Sequence, residues 1–270
     1  MSHLLRSHAP ISDKGWKLID EEAIDRLTAG LGARRIVDFE GPFGFEYSST
    51  NLGRAEPIAN DGLAGITAKR RVVLPVVELR ADFELSRQEL LNADRGDIAI
   101  DTDPVALAAL QMVEAENRTV FHGSAALGIT GITEASPHPA IPAGSTLDAY
   151  PAAIANAVET LLRIGVAGPY ALALGRDDYT AVVEGSEHGG YPVASELRKI
   201  LGGPIVWAPG IDGGIVVSQR GGDFVFESGQ DLSVGYWSAD ADHVRLYLEE
   251  TFTFRVVSPE AAVAVGPVTA

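Results

Sequence analysis

The sequence predicts an α+β protein built as one flat, elongated subunit. Three observations carry that expectation. Apolar residues recur at three- and four-residue steps in stretches with helix-cap signals at their ends. Two other stretches alternate strictly between apolar and polar residues, the pattern of a strand with one buried and one wet face. The longer of these runs from His243 to Val257. At about 3.3 Å per residue it would span roughly 45–50 Å, against the ~17–20 Å of an ordinary strand. Such strands suit an extended tile that completes its contacts with neighbours.

In chain order, Ser12 opens the first helix. Trp16, Ile19, Ala23, Leu27 and Leu31 form its apolar stripe, and Gly30 and Gly32 end it. A short run follows at 34–39, then the turn sequence GPFG. Residues 46–70 are polar and loop-like and lead into an extended stretch, Arg71 to Leu85. Its second half alternates Val77, Leu79, Ala81, Phe83 and Leu85 with charged residues, whereas Pro75 restricts the first half to an edge or an exposed arm. Asp103-Pro104 reads as cap and first residue of a second long helix, with Val105, Ala108, Met112, Val113, Glu116 and Val120 along it and Gly123 as its stop. A third helix is expected over 147–164, then the strand YALAL, a short helix near 177–184, the Gly-rich loop 185–190, a helix near 194–201, and strands at 205–207 and 214–218. In the closing run Val244, Leu246, Leu248, Phe252, Phe254 and Val256 take the even positions, and mostly polar residues take the odd ones.

The composition narrows the function. The 270 residues include 37 acidic and 21 basic side chains, a formal charge of −16. A surface of that sign repels phosphate backbones and anionic lipids. Cysteine is absent, which excludes disulfides, thiolate nucleophiles and cysteine-ligated zinc. No apolar run approaches the ~18 residues of a membrane span. The opening stretch MSHLLRSHAPIS lacks the long apolar centre of a secretory leader, so the expected location is cytoplasmic.

Local motifs for catalysis fail in turn. The four lysines follow no phosphate-binding loop, no serine sits in a GxSxG elbow, and Gly30-Leu31-Gly32 ends a helix where a dinucleotide fold would follow a strand. The six histidines share no metal-ligand spacing. Three weaker groups remain. Asp101 and Asp103 straddle Thr102; Asp240, Asp242 and His243 form a charged turn; Glu187 and His188 lie together in the Gly-rich loop. Each has a plainer reading as cap, solvated turn or surface loop.

Several strings nevertheless occur in a telling order: RSHAPIS at 6–12, RRIVD at 34–38 followed by Glu40-Gly41-Pro42, ELRADFELSRQEL at 78–90, Asp94-Arg95-Gly96, residues 116–123, Gly168-Pro169-Tyr170, residues 188–192, RGGDF at 220–224, GQDLSVGY at 229–236, and VRLYLEETFTFRVVSPEA at 244–261. Together they resemble the encapsulins (family 1), bacterial and archaeal shell proteins related to tailed-phage major capsid proteins. The resemblance implies that capsid fold, with a P-domain, an A-domain, an E-loop and an N-terminal helix. It divides the chain into 1–45 (N-terminal helix, arm and start of the P-domain), 46–78 (E-loop), 79–130 (P-domain with its spine helix), 131–225 (A-domain) and 226–270 (P-domain return).

It further implies self-assembly into an icosahedral nanocompartment of about 60 subunits, without catalysis by the shell, enclosing a dye-decolourising peroxidase or a ferritin-like protein, and so roles in oxidative stress or iron storage. Cargo would be recruited by a C-terminal targeting peptide. Carried onto matching positions, the docking groove would use Leu27, Arg34, Ile36 and Asp38, with Asp231, Leu232 and Val234 opposite. Leu27, Ile36 and Leu232 would supply apolar pockets, and Arg34 and Asp38 polar contacts. Read without the resemblance, these residues are ordinary packing of helix against sheet. The loop Gly185, Ser186, Glu187, His188, Gly189 and Gly190 matches the family's five-fold pore loop; by itself it is a surface loop. Some members stack a flavin on a tryptophan where this chain has Gln88, so no cofactor, metal or nucleic acid is expected. Two alternatives stay open: a phage-type capsid packaging DNA, which the charge of −16 per copy opposes, and a hydrolase with dispersed catalytic residues.

Overall fold

The computed structural model describes residues 3–59, 65–144, 146–185 and 192–267. Helix α1 spans Asp13–Gly30, and the Ser12 hydroxyl caps it by accepting the Gly15 amide at 3.2 Å. Its apolar stripe, Trp16, Ile19, Ala23 and Leu27, is buried against the long helix α3, Asp103–His122. Between them α2, Arg87–Arg95, begins on a Ser86 cap. Periodicity misses α2 because only Leu90 and Ala93 of its residues are buried. Helix α3 differs from expectation in its first turn. Thr102 holds the cap position, Asp103 and Pro104 are already helical, and the Asp101 carboxylate accepts the Asp103 amide at 3.0 Å.

Among the described residues eleven strands follow from the alternating stretches and from some that sequence patterning misses. The five-stranded sheet contains β1 (Asp38–Glu40), β4 (Val77–Ser86), β8 (Phe224–Ser228), β9 (Ser233–Ala239) and β10 (His243–Val256). The expected long strand is β10. Along one flank it pairs with β4 from His243 to Phe252; along the other it meets β9 over Val244–Glu249 and then β8 over Phe252–Val256. Its odd face departs from expectation: Tyr247, Glu249, Thr251 and Thr253 are buried. The reason is cover from elsewhere in the chain. Arg80 stacks over Tyr247 at 3.9 Å, His3 Nε2 meets Glu249 at 3.1 Å, and Thr251 Oγ1 accepts the Gln230 amide at 2.7 Å.

The extended arm is a separate hairpin of β2 (Ser49–Pro57) and β3 (Lys69–Pro75), which ends at the proline that marked it as an arm. Its root is pinned by the buried Glu227 carboxylate, which accepts from Tyr47 (2.8 Å) and Thr50 and pairs with Arg255 at 3.2 Å. A second sheet, in the order β11-β7-β5-β6, joins β5 (Tyr170–Leu174), β6 (Gly202–Trp207), β7 (Gly214–Ser218) and β11 (Ala262–Val265). After the one-turn α4 (Ile132–Ala135), α5 (Tyr150–Arg163), α6 (Arg176–Glu184) and α7 (Val193–Leu201) flank it. Residues 147–149, expected as α-helix, form a 3₁₀ turn. Strand β11 returns the tail to this second sheet, and a boundary at 225/226 passes through β8.

Two hydrophobic cores result, and α3 and β10 run through both. Met112 and Val113 of α3 and Val244, Leu246 and Leu248 of β10 belong to the core under α1; Val120, Phe121, Phe252 and Phe254 belong to the core around the second sheet. At the crossing each element carries a buried polar residue: Glu116 and Asn117 on α3, Glu250 on β10.

Close approach of α1 and α3 requires Gly30. A β-carbon there would lie 2.6 Å from Val113 Cγ1. Ala in place of Gly within a helix ordinarily gains about 0.5–1 kcal/mol, whereas overpacking costs ~1–3 kcal/mol, so the steric term wins. Gly30→Ala is therefore expected to lower the thermal unfolding temperature. Val113→Ala should cost less in that background than in wild type, and additive effects in the double-mutant cycle would contradict the tight contact.

Candidate functional site

The docking residues implied by the sequence lie around the seam between the cores. A 3₁₀ turn, Ala33–Arg35, follows α1 and delivers Arg34 into it. Arg34 Nε donates to Glu116 Oε2 at 2.7 Å, one terminal nitrogen donates to Asp231 Oδ1 at 2.6 Å, and the other to Glu250 Oε2 at 2.7 Å. The guanidinium also lies over the rings of Phe39 and Phe226, 5.2 and 4.9 Å from their centroids. Burial alone would lower the Arg34 pKa; Glu116 and Glu250 outweigh it, and the group is held above its ordinary value. Asn117 ties the same turn from below, accepting the Ala33 amide and donating to the carbonyls of Gly30 and Pro209, all at 3.0 Å.

The seven residues divide by exposure. Leu27 and Val234 are buried in one core with Leu232 packed at its margin; Ile36 is buried in the other. Arg34 is fully engaged by three carboxylates, with 13% of its side chain exposed. Asp231, Leu232 and Asp38 are half-buried, each with part of its side chain open to solvent. Asp231 Oδ1 also accepts the Leu232 amide at 2.9 Å, and Asp38 Oδ2 accepts the Gly222 amide at 2.5 Å. Phe39, which sequence reasoning passed over, adds a partly exposed ring, stacked on Phe226 with centroids 5.5 Å apart. Its signal was an apolar residue between two acids in the short strand DFE.

A second concavity, of about 710 Å³, lies along the outer flank of α1 and was not anticipated. Arg6, Trp16, Asp20 and Ile24 line it; Arg6 stacks over Trp16 at 3.9 Å and makes two hydrogen bonds to Asp20.

The charged turn takes its plainer role. Asp240 Oδ1 accepts the amides of Asp242 and His243 and so closes the turn before β10; those bonds hold its pKa below the ordinary value. Gln88 sits exposed in the first turn of α2 and donates to Asn92 at 3.0 Å. Of the expected pore loop, Gly185 follows the last turn of α6, and Ser186, Glu187, His188, Gly189 and Gly190 lie outside the described residues. Among the described residues no group of three or more His, Cys, Asp or Glu is placed to hold a metal ion, and no helix is long and apolar enough to cross a membrane.

Comparison with known proteins adds three findings. Residues 1–253 match a family profile described as "Encapsulating protein for peroxidase". The chain is 47% identical over 268 residues to a type 1 encapsulin shell protein of Rhodospirillum rubrum, covering 97% of this chain and 96% of that one. It is 39% identical to the type 1 encapsulin shell protein of Mycobacterium tuberculosis, covering 98% of this chain and all of the other. Among solved structures, a virus-like particle from Pyrococcus furiosus matches with a TM-score of 0.65 at 19% identity, over 92% of this chain and 98% of that one. The capsid of an empty GTA particle matches at 0.56 and 17%, over 88% and 89%. These last two establish the fold: it is that of the phage capsid proteins, with helices and sheets mixed.

The seam has a direct consequence for stability. Removing one partner of a buried ion pair strands the others and costs about 3–5 kcal/mol. Arg34→Ala is expected to lose that much by denaturant titration. A loss below about 1 kcal/mol, the range of an exposed pair, would contradict the geometry.

Proposed function

The chain belongs to the encapsulin family of shell proteins, and from that premise we propose that about sixty copies close into an icosahedral compartment in the cytoplasm that encloses a cargo enzyme. The observation that carries the reading is the β2–β3 hairpin. Among the described residues it pairs with no other strand, and Val73 on it and Ile58 just beyond β2 are exposed. A two-stranded ribbon is at best marginally stable in water on its own. A neighbouring subunit that accepts the hairpin as its E-loop supplies the missing cover and links one tile to the next. Repetition over a closed shell then sums many weak contacts.

In this reading the shell does no chemistry. The family description points to a peroxidase as the cargo, and a ferritin-like enzyme is the second candidate. A formal charge of −16 on each copy disfavours a nucleic-acid filling. No cofactor enters: Gln88 offers an amide where a stacking ring would be needed. The loop 185–190 is assigned to the rim of the five-fold pore on resemblance alone.

Cargo docking is assigned to the outward side of the seam. Leu232 offers an apolar foothold, Phe39 a ring face, and Asp38 and Asp231 accept hydrogen bonds from an extended peptide. Leu27, Ile36 and Val234 shape the floor from within the cores, and Arg34 holds it in place. Losing one buried aliphatic contact costs about 1.5–3 kcal/mol, or roughly tenfold or more in affinity. The test co-expresses the chain with a reporter protein carrying the C-terminal tail of a partner peroxidase. Leu232→Asp with Asp38→Lys should still form particles yet load the reporter at least tenfold less. Loading equal to wild type would remove this face from cargo recognition.

A further inference from the structure

We propose that Glu116 and Glu250 share one proton inside the folded subunit, and that this proton is a pH-sensitive latch on the joint between the two cores. Each carboxyl is wholly buried, at 0% and 1% exposure. Each directs Oε2 to Arg34, and in each the remaining oxygen, Oε1, is buried without a hydrogen-bond donor. An unsatisfied buried acceptor is costly. Both Oε2 atoms converge on the same terminal nitrogen of Arg34, at 2.6 and 2.7 Å, which brings the two carboxyls side by side. One proton between them satisfies both as O–H···O⁻.

Charge balance points the same way. Arg34 contributes one positive charge against three carboxylates. Asp231, with 45% of its side chain exposed, lies at the wet edge of the cluster, whereas the two glutamates lie wholly inside. Two ionised glutamates side by side in a low-dielectric interior would repel strongly. Burial raises Glu250 well above the ordinary carboxylic range and adjacent Glu116 raises it further; burial also raises Glu116, against the pull of Arg34.

Among the described residues few groups face the pair. The 3₁₀ turn contributes Arg34, and the turn between β8 and β9 contributes Asp231. Strand β4 places Leu79 opposite Glu250; its charged neighbours Glu78 and Arg80, and Glu249 with His3, belong to the opposite face of the sheet. Strands β1 and β8 bring only the rings of Phe39 and Phe226 to Arg34.

The sign follows from linkage. The unfolded chain ionises both glutamates above their ordinary range, while the folded subunit keeps one proton more. The stability that this proton confers is therefore complete below the ordinary glutamate range and is lost as pH rises through the raised value. Past that point two charges confront Arg34, and the hold on the turn that follows α1 weakens.

The test follows thermal unfolding of assembled particles from about pH 5 to 9 in wild type, Glu250→Gln and Glu116→Gln. Glutamine supplies a permanent N–H where the proton sat. Wild type should lose stability with rising pH relative to the glutamine variants, the gap opening by about 2–4 °C or more. Parallel profiles would overturn the proposal. Infrared spectra of wild type supply a readout that needs no variant: a protonated-carboxyl C=O band at neutral pH, shifted in heavy water, that fades over the same pH range. A neutral-pH spectrum without that band overturns the proposal whether or not either variant folds.

Discussion

Arg34 sits where the two hydrophobic cores meet and binds together four segments that are distant in sequence. Glu116 lies 82 positions along the chain, Asp231 197 and Glu250 216, yet all three carboxylates converge on one guanidinium. Burying an ion costs several kcal/mol unless its hydrogen bonds are met. Arginine meets that condition with a planar fork of donors that a lysine lacks. The fork fixes where α1 ends, how α3 and β10 cross, and how the turn before β9 is set. A subunit with two cores and a flexible joint would make a poor tile, because small angular errors accumulate around a closed shell. The polar seam gives up some hydrophobic burial and gains a defined angle.

From that joint the functional surfaces follow. Phe39, Asp231 and Leu232 border the outward side of the seam, with Asp38 across strand β1 from Phe39, so the face proposed for cargo is backed by the buried ion cluster. On another side, Glu227 anchors the root of the hairpin through Tyr47, Thr50 and Arg255. The hairpin thus leaves the body in a set direction although, among the described residues, its strands pair only with each other. Rigid body, directed arm and backed docking face are what a self-assembling container needs from one chain.

The fold was legible in the sequence wherever one face of an element was buried and the other wet. The stripe of α1, the alternation of β4 and the length of β10 are of that kind. Strands buried on both sides, such as β8 with FVFES, have no period to read, and α2 buries too little to show one. The odd face of β10 was misread because its cover comes from His3, Arg80 and Gln230, which local pattern cannot place. The seam left a trace. Glu250 interrupts the apolar even positions of β10, and Glu116 interrupts the stripe of α3, so each breaks its own element's rule. What the sequence could not disclose is that both breaks face Arg34. That pairing gives Arg34 a role inside the subunit, tying α3 and β10 together, that the sequence alone does not show.

The central claim, that this chain is a tile for a closed shell, is tested most directly by the mass of the particle it forms alone. Native mass spectrometry or sedimentation of the purified chain should show a discrete assembly of about sixty copies, with hollow spherical particles of uniform diameter by electron microscopy. A population consisting only of monomers or small oligomers, under conditions where the subunit is folded, would contradict it.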